Sequence, residues 1–443
     1  MKNKVDEFIS NPRKALYKLA WPMLIAMLVQ TLYNVVDTAF VGRLGADSIA
    51  ALTFSFPLFF ILIGINSGIA VGMSSRISRF MGEKNKEGAE NTAMHGILLG
   101  IFFFIISVVL GLIFIRPMFN LFGATPAVIE LAVDYFSIVL MGSIFMFSAY
   151  IINNIFVSQG DTKTPMKIQI FTLLLNIVLD PIFIYVLGLG VKGAAIATVI
   201  SFTIGLILYS YFLHTKSYLH IHPQNFTFST KLIKEILMVG LPASIMMIVM
   251  SVFLMIFNWF MSYFGTDHVA AFGIGFRAES VVIMPVMAGS FAVMTLVGMF
   301  FGAKRVDLIK GIVWHAIKIG VLYTIVVGGL FFIFPSFIYK IFTSDPVLIE
   351  LGIPYLRIVV LAYPFMGITM VIGRTLQGMG YGMPGLIINL LRTILVSTPL
   401  SYLFVFVLGY GYLSVITSIV IASIVASVVA IVWFEWEIKK AIV

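Results

Sequence analysis

The stretch GILLGIFFFIISVVLGLIFI, residues 96–115, runs for twenty positions without a charged side chain. About 20 apolar residues in helical form cross the hydrocarbon core of a bilayer, so a run of this kind predicts a membrane span. It belongs to a segment over 92–115, and eleven more follow the same pattern, near 15–42, 49–76, 126–158, 165–188, 193–214, 234–263, 269–299, 310–335, 346–378, 384–408 and 412–436. The loops between them are short and rich in turn formers, as in GEKNKEG, QGDTKTP, FGTDH and QGMGYGMP. Several segments exceed the length of a straight crossing, which allows tilt.

Composition agrees. The 443 residues are 60% hydrophobic and 11% charged, against about 25% charged in soluble domains, and the mean hydropathy is +1.08. The expected class is an all-α integral membrane protein. With no cysteine, disulfides, thiolate metal sites and cysteine nucleophiles are excluded. The N-terminal MKNKVDEFISNPRKALYKLAWP is charged and amphipathic, and it reads as the approach to a retained first helix, not as a cleaved leader.

Basic residues set the expected orientation. With the N-terminus inside, 19 of the 28 Lys and Arg residues fall on inner loops, while only Arg43, Arg116, Lys192 and Lys340 fall outside. This asymmetry predicts a multi-pass cell-membrane protein with both termini cytoplasmic. The net charge of +9 then reflects inner loops facing anionic lipid, and no aromatic-plus-basic nucleic-acid module is present.

The chain also repeats itself at a spacing of 220. Pro22 pairs with Pro242, Gly45 with Gly265, Gly82 with Gly302, Lys84 with Lys304, His95 with His315, Pro126 with Pro346, and Tyr135 with Tyr355. Farther on, SQGDTKTP meets LQGMGYGMP with a drift of one or two residues. The expected organisation is two pseudo-symmetric six-helix bundles: an N-terminal lobe over 1–213, a cytoplasmic linker over 214–233 and a C-terminal lobe over 234–443. Parallel repeats of this kind mark secondary transporters that alternate access. The linker holds His214, His220 and His222, which lack accompanying ligands and read as a solvated loop.

Asp37 stands inside the first apolar segment. A carboxylate at membrane depth costs about 2.5 kcal/mol or more and usually faces a bundle interior or wet cavity. Tyr33 and Asn34 share its helical face, being four and three residues earlier. Asp180 has Asn176 one turn before it, and Pro181 follows, which frees the carbonyl of residue 177 from its intrahelical bond. These residues form either a buried network joining the first and fifth helices or a cation or proton site. Carboxylate, amide and carbonyl oxygens suit a small hard cation such as Na⁺, and a poorly solvated carboxylate pair equally suits a proton. Pro22, interior to the first helix, predicts a kink, either a static bend or one that responds to ion binding.

The runs WPMLIAMLVQTLYNVVDTAFVGRLG, GEKNKEGAENTAMH, SQGDTKTPM and LNIVLDPIFIYVLGLGVKGAAIATVIS together resemble the multidrug and toxic compound extrusion (MATE) family, most closely its DinF-type branch, over essentially the whole chain. The branch with acids in the seventh and tenth helices matches poorly, because SVFLMIFNWFMSYF and FMGITMVIGRTLQG carry none. The resemblance implies the MATE fold, a V-shaped central cleft, a monomer, and export of organic, often cationic, small molecules against Na⁺ or H⁺ with no bound cofactor. It implies that Asp37, Asn176, Asp180 and Thr198 form the coupling-ion site, which would be the Na⁺ ligands if Na⁺ is the ion. It further implies that Tyr135 and Asn153 line the cavity of the N-terminal lobe and that Pro22 is the bending proline; Tyr33 and Asn34, on the Asp37 face, are cavity candidates from their spacing.

One feature departs from a simple cation exporter. Arg277, Lys318, Arg357, Arg374 and Arg392 remain after the loops are assigned, and all lie in the C-terminal half. They either snorkel and bond carbonyls or form a pocket for an anionic or lipid-phosphate group, with Arg277 and Arg392 as candidates. The alternative function is therefore a flippase for lipid or lipid-linked saccharide. An enzyme is disfavoured, since there is no paired-aspartate prenyltransferase motif, no H-E-x-x-H and no P-loop.

Overall fold

The two halves share their backbone as well as their sequence. In the computed structural model, which describes residues 3–121 and 126–442, the four turns that open φ to positive values in the first half recur in the second. Gly45 and Gly265 have φ of 116° and 121°, Lys84 and Lys304 57° and 58°, Gly160 and Gly380 77° and 100°, and Gly188 and Gly409 66° and 69°. The lysines are the informative pair, because a non-glycine residue in this region costs roughly 1–2 kcal/mol. Such a strained conformation kept in both copies marks a true structural repeat.

Twelve helices among the described residues are long and apolar enough to cross a membrane: α1 Pro12–Gly42, α2 Ala46–Gly82, α3 Lys86–Leu121, α4 Pro126–Ser158, α5 Lys163–Val186, α6 Gly190–Thr215, α7 Thr230–Ser262, α8 Thr266–Gly302, α9 Val306–Ile333, α10 Pro346–Met379, α11 Met383–Val407 and α12 Leu413–Ile442. They match the expected spans, and no strand occurs among the described residues. A short helix, Pro335–Phe342, precedes α10 and was not apparent from hydropathy. Helix α5 ends in a π turn, Ile182–Val186, just after Pro181. Helix α11 has a matching π turn, Leu403–Val407, and a second one, Leu391–Ser397, with no counterpart in α5.

The chain divides into two compact units, residues 1–5 with 21–244, and residues 6–20 with 245–443. In the first, α4 packs against α2, α3 and α6. Two apolar clusters hold it: one around Leu58, Phe119, Phe136 and Phe147, the other around Val41, Leu52, Val139 and Val191. In the second, α10 packs against α8, α9 and α12, over a core rich in Phe253, Phe257, Phe260, Tyr339 and Tyr363. The divisions fall beside the paired prolines Pro22 and Pro242.

Close backbone approach stabilises the first unit. A Cβ at Gly72 would lie 2.0 Å from the carbonyl oxygen of Ile236, and one at Gly68 2.5 Å from that of Gly240. Helices α2 and α7 thus meet through small residues four apart, the means by which membrane helices gain van der Waals contact without a hydrophobic drive. The linker is fastened to the same unit. Asn91 Nδ2 donates to Thr227 O and Oγ1, each at 2.9 Å, while the Thr227 N–H donates to Asn91 Oδ1. The Ser229 N–H donates to His95 Nε2 at 2.9 Å, and Gln159 Oε1 accepts from Ser217, Tyr218 and Leu219. Partial burial, with Lys86 nearby, holds the His220 imidazole below its usual range. No group of three or more His, Cys, Asp or Glu with metal-holding geometry occurs among the described residues.

Candidate functional site

Three helices of the first unit bring one polar cluster together inside an apolar setting. Helix α1 contributes Tyr33 and Asp37, one turn apart; α5 contributes Asn176 and Asp180, also one turn apart; α6 contributes Thr198. All five are buried, Asn176 and Asp180 completely. Asp37 and Asp180 are close enough to feel each other's charge, and Tyr33 stands beside Thr198 and both acids. The sequence spacing that placed each pair on one helical face is thus realised, and the fold brings the faces together.

One hydrogen bond organises the cluster. Asn176 Nδ2 donates to Asp180 Oδ1 at 3.0 Å. Five further oxygens are buried without a protein partner: Tyr33 Oη, Asp37 Oδ1, Asn176 Oδ1, Asp180 Oδ2 and Thr198 Oγ1. A buried oxygen left unsatisfied costs about 1–3 kcal/mol, and native proteins keep such atoms few and unclustered. Two carboxylates, one amide and two hydroxyls supply oxygens alone, the donor set of a hard monovalent cation, and the carboxylates also accept protons. The donor set therefore fits a Na⁺ ion or a proton.

Tyr33 connects the cluster to a cavity of about 310 Å³ within the same unit, which reaches the lower end of drug-sized pockets, roughly 300–1,000 Å³. Its wall is mostly apolar, with Phe59, Phe147 and Phe202 among the lining residues. Asn34 and Asn153 line it, and Asn153 Nδ2 donates to Tyr209 Oη at 3.0 Å. Gln30, Asn66 and Gln169 line it too, and sequence reasoning missed them. Gln30 lies seven residues before Asp37, on the same face, and Asn66 is a lone amide in an apolar helix, so both carried a usable signal.

Two expected cavity residues sit elsewhere. Tyr135 is buried in the packed core with Val139 and Ile184 and does not line the cavity, because Phe59 stands against it with ring centroids 6.1 Å apart. Arg277 is exposed and lines neither this cavity nor a smaller one in the second unit, since its helix buries the other face, carrying Ala278 and Glu279. Arg392, by contrast, is buried and lines the second-unit cavity. Pro22 lies inside α1 and Pro181 at the end of the α-helical part of α5.

Twelve spans in two repeated units, a polar cluster at membrane depth and an adjoining apolar cavity define a membrane transporter and not an enzyme. The chain belongs to the MatE family, whose pattern matches residues 22–182 and 242–403, once in each half. It is 29% identical to a FAD transporter of Shewanella oneidensis over 88% of this chain and 87% of that one. It is 27% identical to the probable multidrug resistance protein NorM of Thermotoga maritima over 98% and 95%, and 26% identical to the multidrug export protein MepA of Staphylococcus aureus over 94% and 92%. Among solved structures, a MOP superfamily transporter from Pyrococcus furiosus is 32% identical and superimposes with a TM-score of 0.94 over 100% of this chain and 99% of that one. A MATE in the bent conformation gives 0.96 over 100% and 98%.

Proposed function

We propose that this protein is a secondary active exporter that moves organic, often cationic, compounds out of the cell in exchange for inward Na⁺ or H⁺. The observation that carries the reading is the cluster of five partnerless buried oxygens joined through Tyr33 to a cavity of drug size. Asp37 and Asp180 hold the ion or proton, Asn176 orients Asp180, and Thr198 and Tyr33 complete the oxygen shell. Tyr33 serves both places, so filling the ion site alters the cavity wall and couples the two occupancies. The two repeated lobes, 1–213 and 234–443 about the 214–233 linker, alternate access, with both termini cytoplasmic and the monomer as the working unit. Relatives named as multidrug proteins support the organic substrate, and the relative named as a FAD transporter keeps a second reading open, a larger anionic or lipid-linked cargo.

The test uses proteoliposomes containing the wild type, Asp37→Asn and Asp180→Asn. A Na⁺ gradient and a pH gradient are imposed separately while efflux of a fluorescent organic cation is followed. One gradient drives transport in the wild type, and both variants abolish it. Transport that ignores both gradients or survives both variants makes the carboxylates structural and moves the cargo reading to the alternative.

A further inference from the structure

The second unit contains a cavity of about 120 Å³ whose charge is opposite to that of the ion cluster in the first. Its lining includes Arg374 and Arg392 and no acidic residue. Arg392 is 9% exposed and makes no hydrogen bond or ion pair among the described residues, although a buried guanidinium carries five donors and a charge whose desolvation costs several kcal/mol. Arg374 is engaged already: it donates to Gln377 Oε1 at 2.8 Å and lies over the Phe291 ring at 4.0 Å. Asn389, which also lines the cavity, has a buried amide oxygen without a partner.

The carboxylate whose charge Arg392 feels is Glu279, and it does not close on the guanidinium. Glu279 instead accepts the Tyr355 hydroxyl deep among aromatic side chains. Arg392 therefore sits near a counter-charge that is held away from it, with its donors available to the cavity. The backbone contributes as well. Arg392 lies in the π turn Leu391–Ser397, the one without a counterpart in the first repeat, and π turns recur at functional sites because the extra residue re-aims side chains.

We propose that this cavity is an oxyanion site in which Arg392, assisted by Arg374, binds one phosphate-class group. Volume sets the scale. At roughly 30 Å³ per water, the cavity holds the equivalent of about four waters, enough for a tetrahedral oxyanion and too small for a drug-sized molecule. It receives either a free anion or the charged end of a larger molecule, a lipid headgroup included. A guanidinium binds phosphate oxygens in pairs, and an oxyanion that keeps one proton also satisfies the Asn389 oxygen. The site stands independently of the ion cluster and survives if the exporter reading fails.

Equilibrium binding of radiolabelled inorganic phosphate to the purified full chain in nanodiscs tests it. The wild type binds saturably; Arg392→Gln weakens binding at least tenfold; Arg392→Lys falls between; Glu279→Gln, which removes the competing negative charge, tightens binding severalfold. Nanodiscs with and without phosphatidylglycerol distinguish the sources. Competition that depends on Arg392 identifies a lipid headgroup, and its absence identifies a free anion. Equal phosphate binding by the wild type and Arg392→Gln overturns the proposal, as does a wild type that shows neither saturable phosphate binding nor Arg392-dependent retention of anionic lipid. Should Arg392→Gln not fold, an affinity left unchanged by both Arg392→Lys and Glu279→Gln overturns it.

Discussion

The Asn176 amide donates to Asp180 one helical turn away, at 3.0 Å, and leaves its own oxygen buried without a protein partner. This single bond fixes which atom of each side chain is left without a partner. Asn176→Ala removes one donor to a carboxylate and one oxygen of the shell. Hydrogen bonds to charged groups contribute about 1.5–3 kcal/mol, so the ion concentration for half-maximal transport should rise roughly 10- to 100-fold, with expression unchanged. A transport curve that does not move would show that Asn176 neither orients Asp180 nor binds the ion.

Protons and Na⁺ compete for the same carboxylates if Na⁺ is the coupling ion. A carboxylate ligand must be deprotonated to bind a cation, so Na⁺ affinity falls as pH falls through the range in which Asp37 and Asp180 protonate. Asp37→Asn should flatten that dependence as well as weaken binding. Titrations of Na⁺ at several pH values, on both proteins, read the slope directly; a pH-independent wild type would remove the carboxylates from the ion shell.

The α2–α7 contact predicts a sharp difference between glycines. Gly72→Ala places a Cβ 2.0 Å from the Ile236 carbonyl oxygen, whereas Gly273→Ala meets nothing within 4 Å. Overpacking of this kind costs about 1–3 kcal/mol, and here the obstruction is backbone. Thermal unfolding in detergent should show a clear loss for Gly72→Ala and none for Gly273→Ala. Similar midpoints would mean that the helices separate at little cost.

Asn91 fastens the linker through both faces of its amide. Asn91→Ala should release the backbone around Thr227, which limited proteolysis and hydrogen exchange would report as faster cleavage and faster exchange in 225–229, with the spans unaffected. Unchanged protection would assign the linker's order to Glu90, His95 and Gln159.

The twelve spans were legible because lipid demands long apolar runs, and the acid cluster because Tyr33 with Asp37, and Asn176 with Asp180, declare their shared faces at one-turn spacing. What remained hidden depends on how helices rotate against each other. Tyr135 and Asn153 are both polar residues on α4, yet one packs against Phe59 and the other lines the cavity. Arg277 and Glu279 lie two residues apart, and only the packing of α8 decides that the arginine is exposed and the acid buried. The π turn that carries Arg392 leaves no mark in composition, since one inserted residue in an apolar helix alters no hydropathy average.

The matched torsions of Lys84 and Lys304 show how faithfully the second copy keeps the backbone of the first, while its side chains have changed sign and size. Asp37 corresponds to Phe257, and Phe59, against Tyr135, corresponds to Glu279, against Tyr355. A homodimer of one such half would be bound by its own symmetry to place an identical carboxylate in both subunits. A single chain that holds both copies is free of that obligation. Its halves can differ, so that one polypeptide carries a buried pair of acids in one lobe and a cavity lined by two arginines in the other, an arrangement that no pair of identical subunits achieves.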